Sequence, residues 1–227
     1  MAARHFLIMN RMKLYNYFRS SASFRVRIAL ALKGLTYEYL PIHLVKVEHR
    51  SAAFAQVAAD QLVPVLEVDG VRLSQSMAII EYLDETHPTP PLLPAEPVAR
   101  AQVRALAQSI ACEIHPINNL RVLRYLVRDL QLDEDAKNAW YRHWCREGLQ
   151  AFERQLAALR VGQPDATYCF GDRPTLADCC LVPQIFNAQR FKVDLSDLPL
   201  TMAAFDACSR LPAVQQAHPS ACPDHEA

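Results

Sequence analysis

The sequence predicts a two-part chain, an α/β domain of βαβ–ββα order followed by an all-α domain. Three observations carry this reading. An aromatic-rich strand pattern from Lys13 to Phe18 runs into a helical pattern closed by Gly34. Two short apolar runs, Gln61 to Val68 and Val71 to Leu73, are split by Asp69-Gly70, a hairpin signature. From His87 to Pro97 there are five prolines in eleven residues, and beyond them only helical periodicity. The expected boundaries are 12–87 for the first domain, 88–97 for a proline-rich linker and 98–227 for the helical domain. Residues 1–11 read as a leader that is either disordered or, with Met12 as initiator, not made.

In the first unit, Ser20 and Ser21 stand between strand and helix, and Val26, Ile28, Leu30 and Leu32 follow near a 3.6 period. A serine there caps the helix. The same position, where free amides and the positive dipole end converge, is also a small anion site, and the stretch by itself leaves both readings open. Thr36 to Ile42 reads as a second strand, and 43–59 as a loose helix over a cleft. Pro64 opens the third strand, where a proline is tolerated. Ser74-Gln75-Ser76 is expected to cap a helix to Thr86 with Ile79, Ile80 and Leu83 inward.

Past the linker, Val98 to Arg128 reads as one long helix kinked at Pro116, and Asp133 to Leu159 as another that buries Trp140 and Trp144. Thr175-Leu-Ala-Asp178 has capping-box spacing and starts a helix through Ile185. Two short helices follow near 202–209 and 211–216, and the small, polar tail from Ala217 is expected to fray.

Composition narrows the function. Twenty-four basic residues balance twenty-four acidic ones, so nothing favours nucleic acid or an anionic membrane surface. No apolar run has spanning length. Seven cysteines, an odd number without Cys-x-x-Cys spacing, argue against a disulfide framework or a metal site and for a reducing cytoplasm. Five glycines in the whole chain and no glycine-rich motif leave no phosphate-cradling loop.

The run Ser20-Ser21-Ala22-Ser23-Phe24-Arg25-Val26-Arg27-Ile28-Ala29-Leu30 resembles the signature Ser-Ser-x-Ser-aromatic/His-Arg-Val-Arg-Ile-Ala-Leu of the zeta-class glutathione transferases. That family includes the maleylacetoacetate isomerases and the bacterial maleylpyruvate isomerases. Gln75-Ser76 and the segment Asp172 to Asp178 are similar to further family elements, so the resemblance covers nearly the whole chain. It implies a thioredoxin-like first domain in the glutathione transferase fold, a cytoplasmic homodimer and glutathione as cofactor. It implies a cis proline at Pro64, with Val63 bonding the cysteinyl backbone and Gln75 and Ser76 holding the γ-glutamyl carboxylate. Ser20, with Ser21 beside it, would stabilise the thiolate, and His115 and Asn119 would face the cofactor across the cleft.

The activity implied is glutathione-dependent cis–trans isomerisation of a maleyl keto acid in the catabolism of aromatic compounds. Arg19 and Arg190 would hold the ends of the small dicarboxylate substrate, as planar, permanently charged forks suit carboxylates. Arg25 and Arg27, inside the first helix, read as structural or solvated. Ala22 stands where the family commonly has cysteine, Phe24 replaces tryptophan or histidine, and His115 replaces the glutamine of animal relatives. Two other readings are a general transferase acting on α-halo acids, which would consume glutathione, and a non-catalytic module of the same fold, which need not bind it.

Overall fold

Four short strands form one mixed sheet in the computed structural model, which describes residues 12–226; the leader and the choice of initiator lie outside the described residues. Strand β1 (Met12–Asn16) runs parallel to β2 (Glu38–Pro41) and antiparallel to β3 (Val65–Val68), which pairs antiparallel with β4 (Val71–Ser74), giving the order β2-β1-β3-β4. The parallel pair needs a crossover, supplied by α1 (Ser21–Leu32). Gly34, at φ 65°, closes α1 in a Schellman motif: Leu35 N–H donates to the Leu30 carbonyl at 2.9 Å and Gly34 N–H to Ala31 at 3.1 Å. At the hairpin Asp69 and Gly70 both have positive φ, 51° and 82°, as a two-residue turn with the sheet's twist demands.

Segment 43–59 is not one loose helix but a 3₁₀ turn, Glu48–Arg50, followed by the single-turn α2 (Ala52–Ala55). Helix α3 (Ser76–Thr86) starts within the expected Ser74-Gln75-Ser76 cap: Ser74 still belongs to β4, and Gln75 is the N-cap without a side-chain bond. The proline-rich segment is tied down by Lys33, whose fully buried Nζ donates to Asp84 at 2.8 Å and to the carbonyls of His87 at 2.7 Å and Pro90 at 2.9 Å. Asp84 in turn accepts from the Leu92 and Leu93 amides. The Val63–Pro64 and Thr89–Pro90 peptides are both cis.

The helical part comprises α4 (Pro97–Gln108), α5 (His115–Ile117), α6 (Leu120–Arg128), α7 (Glu134–Arg160), α8 (Leu176–Arg190), α9 (Pro199–Ser209) and α10 (Pro212–Ala217). The single kinked helix expected over 98–128 is therefore three, with a wide π turn at Ser109–Ile114 before α5. Two local causes are visible. Gly148 on α7 admits Ile114 so closely that an added Cβ would sit 2.3 Å from its Cγ1, and Asn119 accepts from Arg121 N–H at 2.9 Å to start α6 afresh. Trp144 is 38% exposed rather than core, while Trp140 is partly buried and donates to the Ile117 carbonyl.

The tail is docked rather than frayed. Asp224 accepts from Phe18 N–H at 3.2 Å and from the Tyr39 hydroxyl, and Glu226 pairs with His43 and Lys46. Arg27 is not solvated but 1% exposed, and its fork reaches the carbonyls of Ala217 at 3.0 Å and Phe18 at 2.9 Å and the Asn16 amide oxygen at 2.9 Å.

Asp178, 1% exposed, accepts from Cys169 N–H, Thr175 N–H and Thr175 Oγ1 at 2.8–2.9 Å. It holds the approach to α8, the central helix of this half, so its loss strands three buried donors. Asp178→Ala should cost about 3 kcal/mol, lowering the thermal midpoint by roughly 6–12 °C for a chain of this size. Turnover per folded molecule should be unchanged, since the carboxylate faces the core.

Candidate active site

A cleft of about 720 Å³ opens where the sheet domain meets α4 to α8. It brings together every site residue that the resemblance implies: Arg19, Ser20 and Ser21 from the start of α1; Val63 and Pro64 before β3; Gln75 and Ser76 at the start of α3; His115 and Asn119 after the π turn; and Arg190 at the end of α8. Ala22 also lines it. The chain is neutral overall, yet the cleft is not. Seven arginines and two aspartates are among its lining residues, with no lysine or glutamate, so its field attracts anions.

The hydrogen bonding of the serines fixes which atoms they can offer. Ser20 is the N-cap of α1, its Oγ accepting from Ser23 N–H at 3.2 Å. Arg190 can only donate, and it donates to Asn187 Oδ1 at 2.8 Å; the Asn187 NH₂ therefore faces Ser21 and donates to its Oγ at 2.5 Å. Ser76 Oγ accepts from Arg25 Nη1 at 3.3 Å. In all three, an obligate donor occupies the oxygen and leaves the hydroxyl hydrogen free to donate. At each of the two helix starts, hydroxyl donors, first-turn amides and the helix dipole favour a negatively charged ligand atom.

Arg19 lies over the rings of Tyr17 and Phe18, its guanidinium donating to the Tyr17 hydroxyl at 2.9 Å. Burial lowers the pKa of Arg190, and the charge of Arg19 lowers it further, so each guanidinium lies within the other's field. Gln75 sits at φ 68°, a strained backbone for a side chain with a Cβ. Asn119 spends its Oδ1 on the α6 cap, whereas its neighbour Asn118 is buried with neither amide atom partnered.

The family model "Glutathione S-transferase, N-terminal domain" matches residues 10–85 and "Glutathione S-transferase, C-terminal domain" matches 133–216. The chain is 52% identical to a maleylpyruvate isomerase of a Ralstonia species over 94% of its own length and 99% of that protein's. Its fold superposes with TM-score 0.90 on the holo structure of a maleylpyruvate isomerase described as a bacterial zeta-class glutathione S-transferase, at 51% identity, covering 94% of this chain and 100% of that one. The chain belongs to the glutathione S-transferase family, in its zeta class. With TM-score 0.83 and 41% identity, over 96% and 98%, it also matches a maleylacetoacetate isomerase of Anaeromyxobacter dehalogenans that has dicarboxyethyl glutathione and citrate in its active site.

In this transferase three cleft residues had no site role from sequence, and Arg25, read as structural or solvated, is not solvated. Arg25 is 2% exposed, His49 7% and Asn118 6%. Among the described residues the buried side-chain nitrogens and oxygens without a partner belong to these three and to Arg160. The unpartnered polar atoms of these three cleft residues are bonding capacity that solvent or a ligand in the cleft can meet. Burial is the one signal that exposes them, and a basic residue inside a helix pattern gives no sign of it.

His115 keeps some surface toward the cleft, but burial, with the charges of Arg25 and Arg121, pushes its imidazole down to about 3. The ring is therefore neutral at physiological pH, a hydrogen-bonding group and not a cation. Since the unfolded chain would take up this proton near its ordinary value of 6.5, stability is present above that pH and falls as pH drops from there toward 3. His115→Gln should flatten that part of the profile: its thermal midpoint should fall less between pH 7 and pH 5 than the wild type's. Measuring both proteins at both pH values checks the sign.

Proposed function

We propose that this chain is a glutathione-dependent cis–trans isomerase of maleyl keto acids, with maleylpyruvate or maleylacetoacetate as substrate. The observation that carries the reading is that Ser20 and Ser21, each with a free hydroxyl hydrogen at the start of α1, line one cleft with the cations Arg19 and Arg190. The donor set fits glutathione. A peptide with two carboxylates and a thiol suits a cleft lined by arginines, with helix N-termini at α1 and α3 and polar atoms that lack partners. Gln75, Ser76 and the backbone of Val63 before Pro64 would hold it, with His115 and Asn119 on the opposite wall.

Bound glutathione supplies a thiol that, once ionised, adds reversibly to an activated cis double bond and so permits its rotation. The chain's part is electrostatic and positional. Ser20 and Ser21 donate to the sulfur and favour its ionised form, as hydrogen bonds to a charged form do. Arg19 and Arg190 take the carboxylates of the dianionic substrate and hold the reacting bond over the start of α1. Ser21 is joined to Arg190 through Asn187, so substrate site and thiol site share one rigid strut. We also propose a homodimer working in a reducing cytoplasm, in keeping with six buried free thiols; sedimentation at micromolar concentration tests the dimer.

Turnover of maleylpyruvate and of maleylacetoacetate, each with and without glutathione, tests the function. At least one should isomerise, only when glutathione is present, with the glutathione recovered unchanged. Net consumption would instead identify a conjugating transferase, and no turnover on either would reject the reading.

Ser20→Ala and Ser21→Ala should each lower kcat about a hundredfold, the scale for losing one donor to a developing charge. A lost cap at Ser20 costs only about 1 kcal/mol of stability. Arg19→Met and Arg190→Met should lower kcat/KM by about 2–4 kcal/mol equivalent and leave the glutathione Kd unchanged. A loss of glutathione affinity in either would move that arginine to the cofactor site.

A further inference from the structure

Among the described residues the side chain of Arg19 bonds only the Tyr17 hydroxyl, from Nε at 3.3 Å and from Nη2 at 2.9 Å. Its guanidinium carbon lies 5.8 Å from the centre of the Tyr17 ring and 5.2 Å from that of Phe18, within the range of a cation–π contact. An arginine side chain is long and has many rotamers. The direction of this fork is therefore set by where the two rings stand, and both rings are buried.

The end of the chain is what holds those rings. Cys222 shares one small apolar cluster with Tyr17 and Phe18, and the His225 ring meets the Phe18 ring edge-on at 5.4 Å. Asp224 accepts from Phe18 N–H at 3.2 Å with one oxygen and from the Tyr39 hydroxyl with the other. Tyr17 is reached at one remove. Its ring lies 5.0 Å from that of His43, whose Nε2 pairs with Glu226 at 3.1 Å, and Glu226 also takes Lys46 at 2.8 Å. A tail that served stability alone would seal the main core. Residues 222–226 instead close a separate cluster, the one on whose rings Arg19 lies.

We propose that the C-terminal tail is a positioning element of the active site: Asp224, supported by His225 and Glu226, fixes the Tyr17–Phe18 step and so aims the Arg19 fork at the substrate carboxylate. The inference rests on the reading above, in which Arg19 holds one end of a dianionic substrate. It adds that the grip on the substrate is set by residues more than 200 positions away in sequence. Asp224 touches neither substrate nor cofactor in this account. It acts through Phe18 N–H, and the remaining Arg19 donors stay available to a ligand in the cleft.

A double-mutant cycle on the full chain separates this from a merely structural role. With whichever maleyl substrate the wild type turns over, Asp224→Ala should lower kcat/KM about tenfold, the scale of a small misplacement of a positioning group. In an Arg19→Met background the same change should cost less than about twofold, because the group it aims is already gone. Glutathione Kd by calorimetry should stay within about threefold. Asp224→Asn should keep kcat/KM within about twofold of the wild type, since its amide oxygen can accept from Phe18 N–H while its NH₂ donates to the Tyr39 oxygen. An equal loss in both Arg19 backgrounds overturns the proposal, as it would place the tail behind Ser20 or the fold in general. A weakened glutathione Kd, or an Asp224→Asn protein as impaired as Asp224→Ala, overturns it too. Should Asp224→Ala not fold, Glu226→Ala, at a half-exposed side chain, takes its place in the cycle. Its loss should be about threefold with Arg19 present and absent without it, and equal losses again overturn the proposal. A wild type without glutathione-dependent turnover on either substrate rejects the proposed function and this inference with it, an outcome distinct from equal losses.

Discussion

The chain segment that presents Arg19, Ser20 and Ser21 is held from behind by one buried guanidinium. Arg27 reaches the Tyr17 and Phe18 carbonyls, the Asn16 side chain and the Ala217 carbonyl with a single fork. That set spans the end of β1, the turn into α1 and the end of α10, elements far apart in sequence. A lysine could not replace it, because one point charge cannot serve four acceptors in a fixed plane. From the other side Asp224 caps the Phe18 amide. The turn is thus fixed through its backbone at both ends, leaving its side chains free to face the cleft. Precision at the start of α1 is therefore a product of tertiary bonding more than of local helix propensity.

The cleft and the core obey opposite rules of polar bonding. In the core, polar groups are saturated: Asp178 has three N–H or O–H donors and Lys33 three oxygen acceptors. In the cleft they are left partly unmet, at Arg25, His49 and Asn118, and the backbone at Gln75 is held in a strained region. Such sites cost stability and persist where the surroundings over-determine them. Here those surroundings are the layers of Val26, Ile28, Leu30, Ile79 and Leu83 between sheet and helices.

Much of the fold was legible because its signals are local. The Asp69-Gly70 hairpin, the Gly34 helix stop and the Thr175–Asp178 start each depend on neighbours in sequence. Two of the misreadings share a cause: the deciding partner is distant. Nothing near residue 114 announces that Gly148 makes room for it, and the polar tail looks ready to fray until Asp224 meets Phe18, 206 residues away. Within the expected cap Ser74-Gln75-Ser76, pairing with Val65 keeps Ser74 in β4 and leaves Gln75 as the N-cap. At the site, resemblance pointed to the residues now found around one cleft, whereas the burial of Arg25 and Asn118 had no signature in a pattern of charged and apolar letters.

The adjacent asparagines Asn118 and Asn119 show how a single break in a helix divides structural from ligand-facing work. A continuous helix would make both side chains ordinary surface or core groups. The π turn at Ser109–Ile114 and the end of α5 instead stop the chain at Asn118, and Asn119 takes extended backbone angles as the cap of α6. Its oxygen is consumed there, which fixes the start of α6 and with it the row Arg121, Arg124 and Arg128 along the cleft. Asn118, buried one residue earlier, keeps both amide atoms free. A wide turn adds about one residue to a helical repeat and so rotates the residues beyond it by roughly 100°. The irregular stretch is thus the means by which one strand of chain supplies a neutral histidine, a free amide and a basic helix to the same cavity wall.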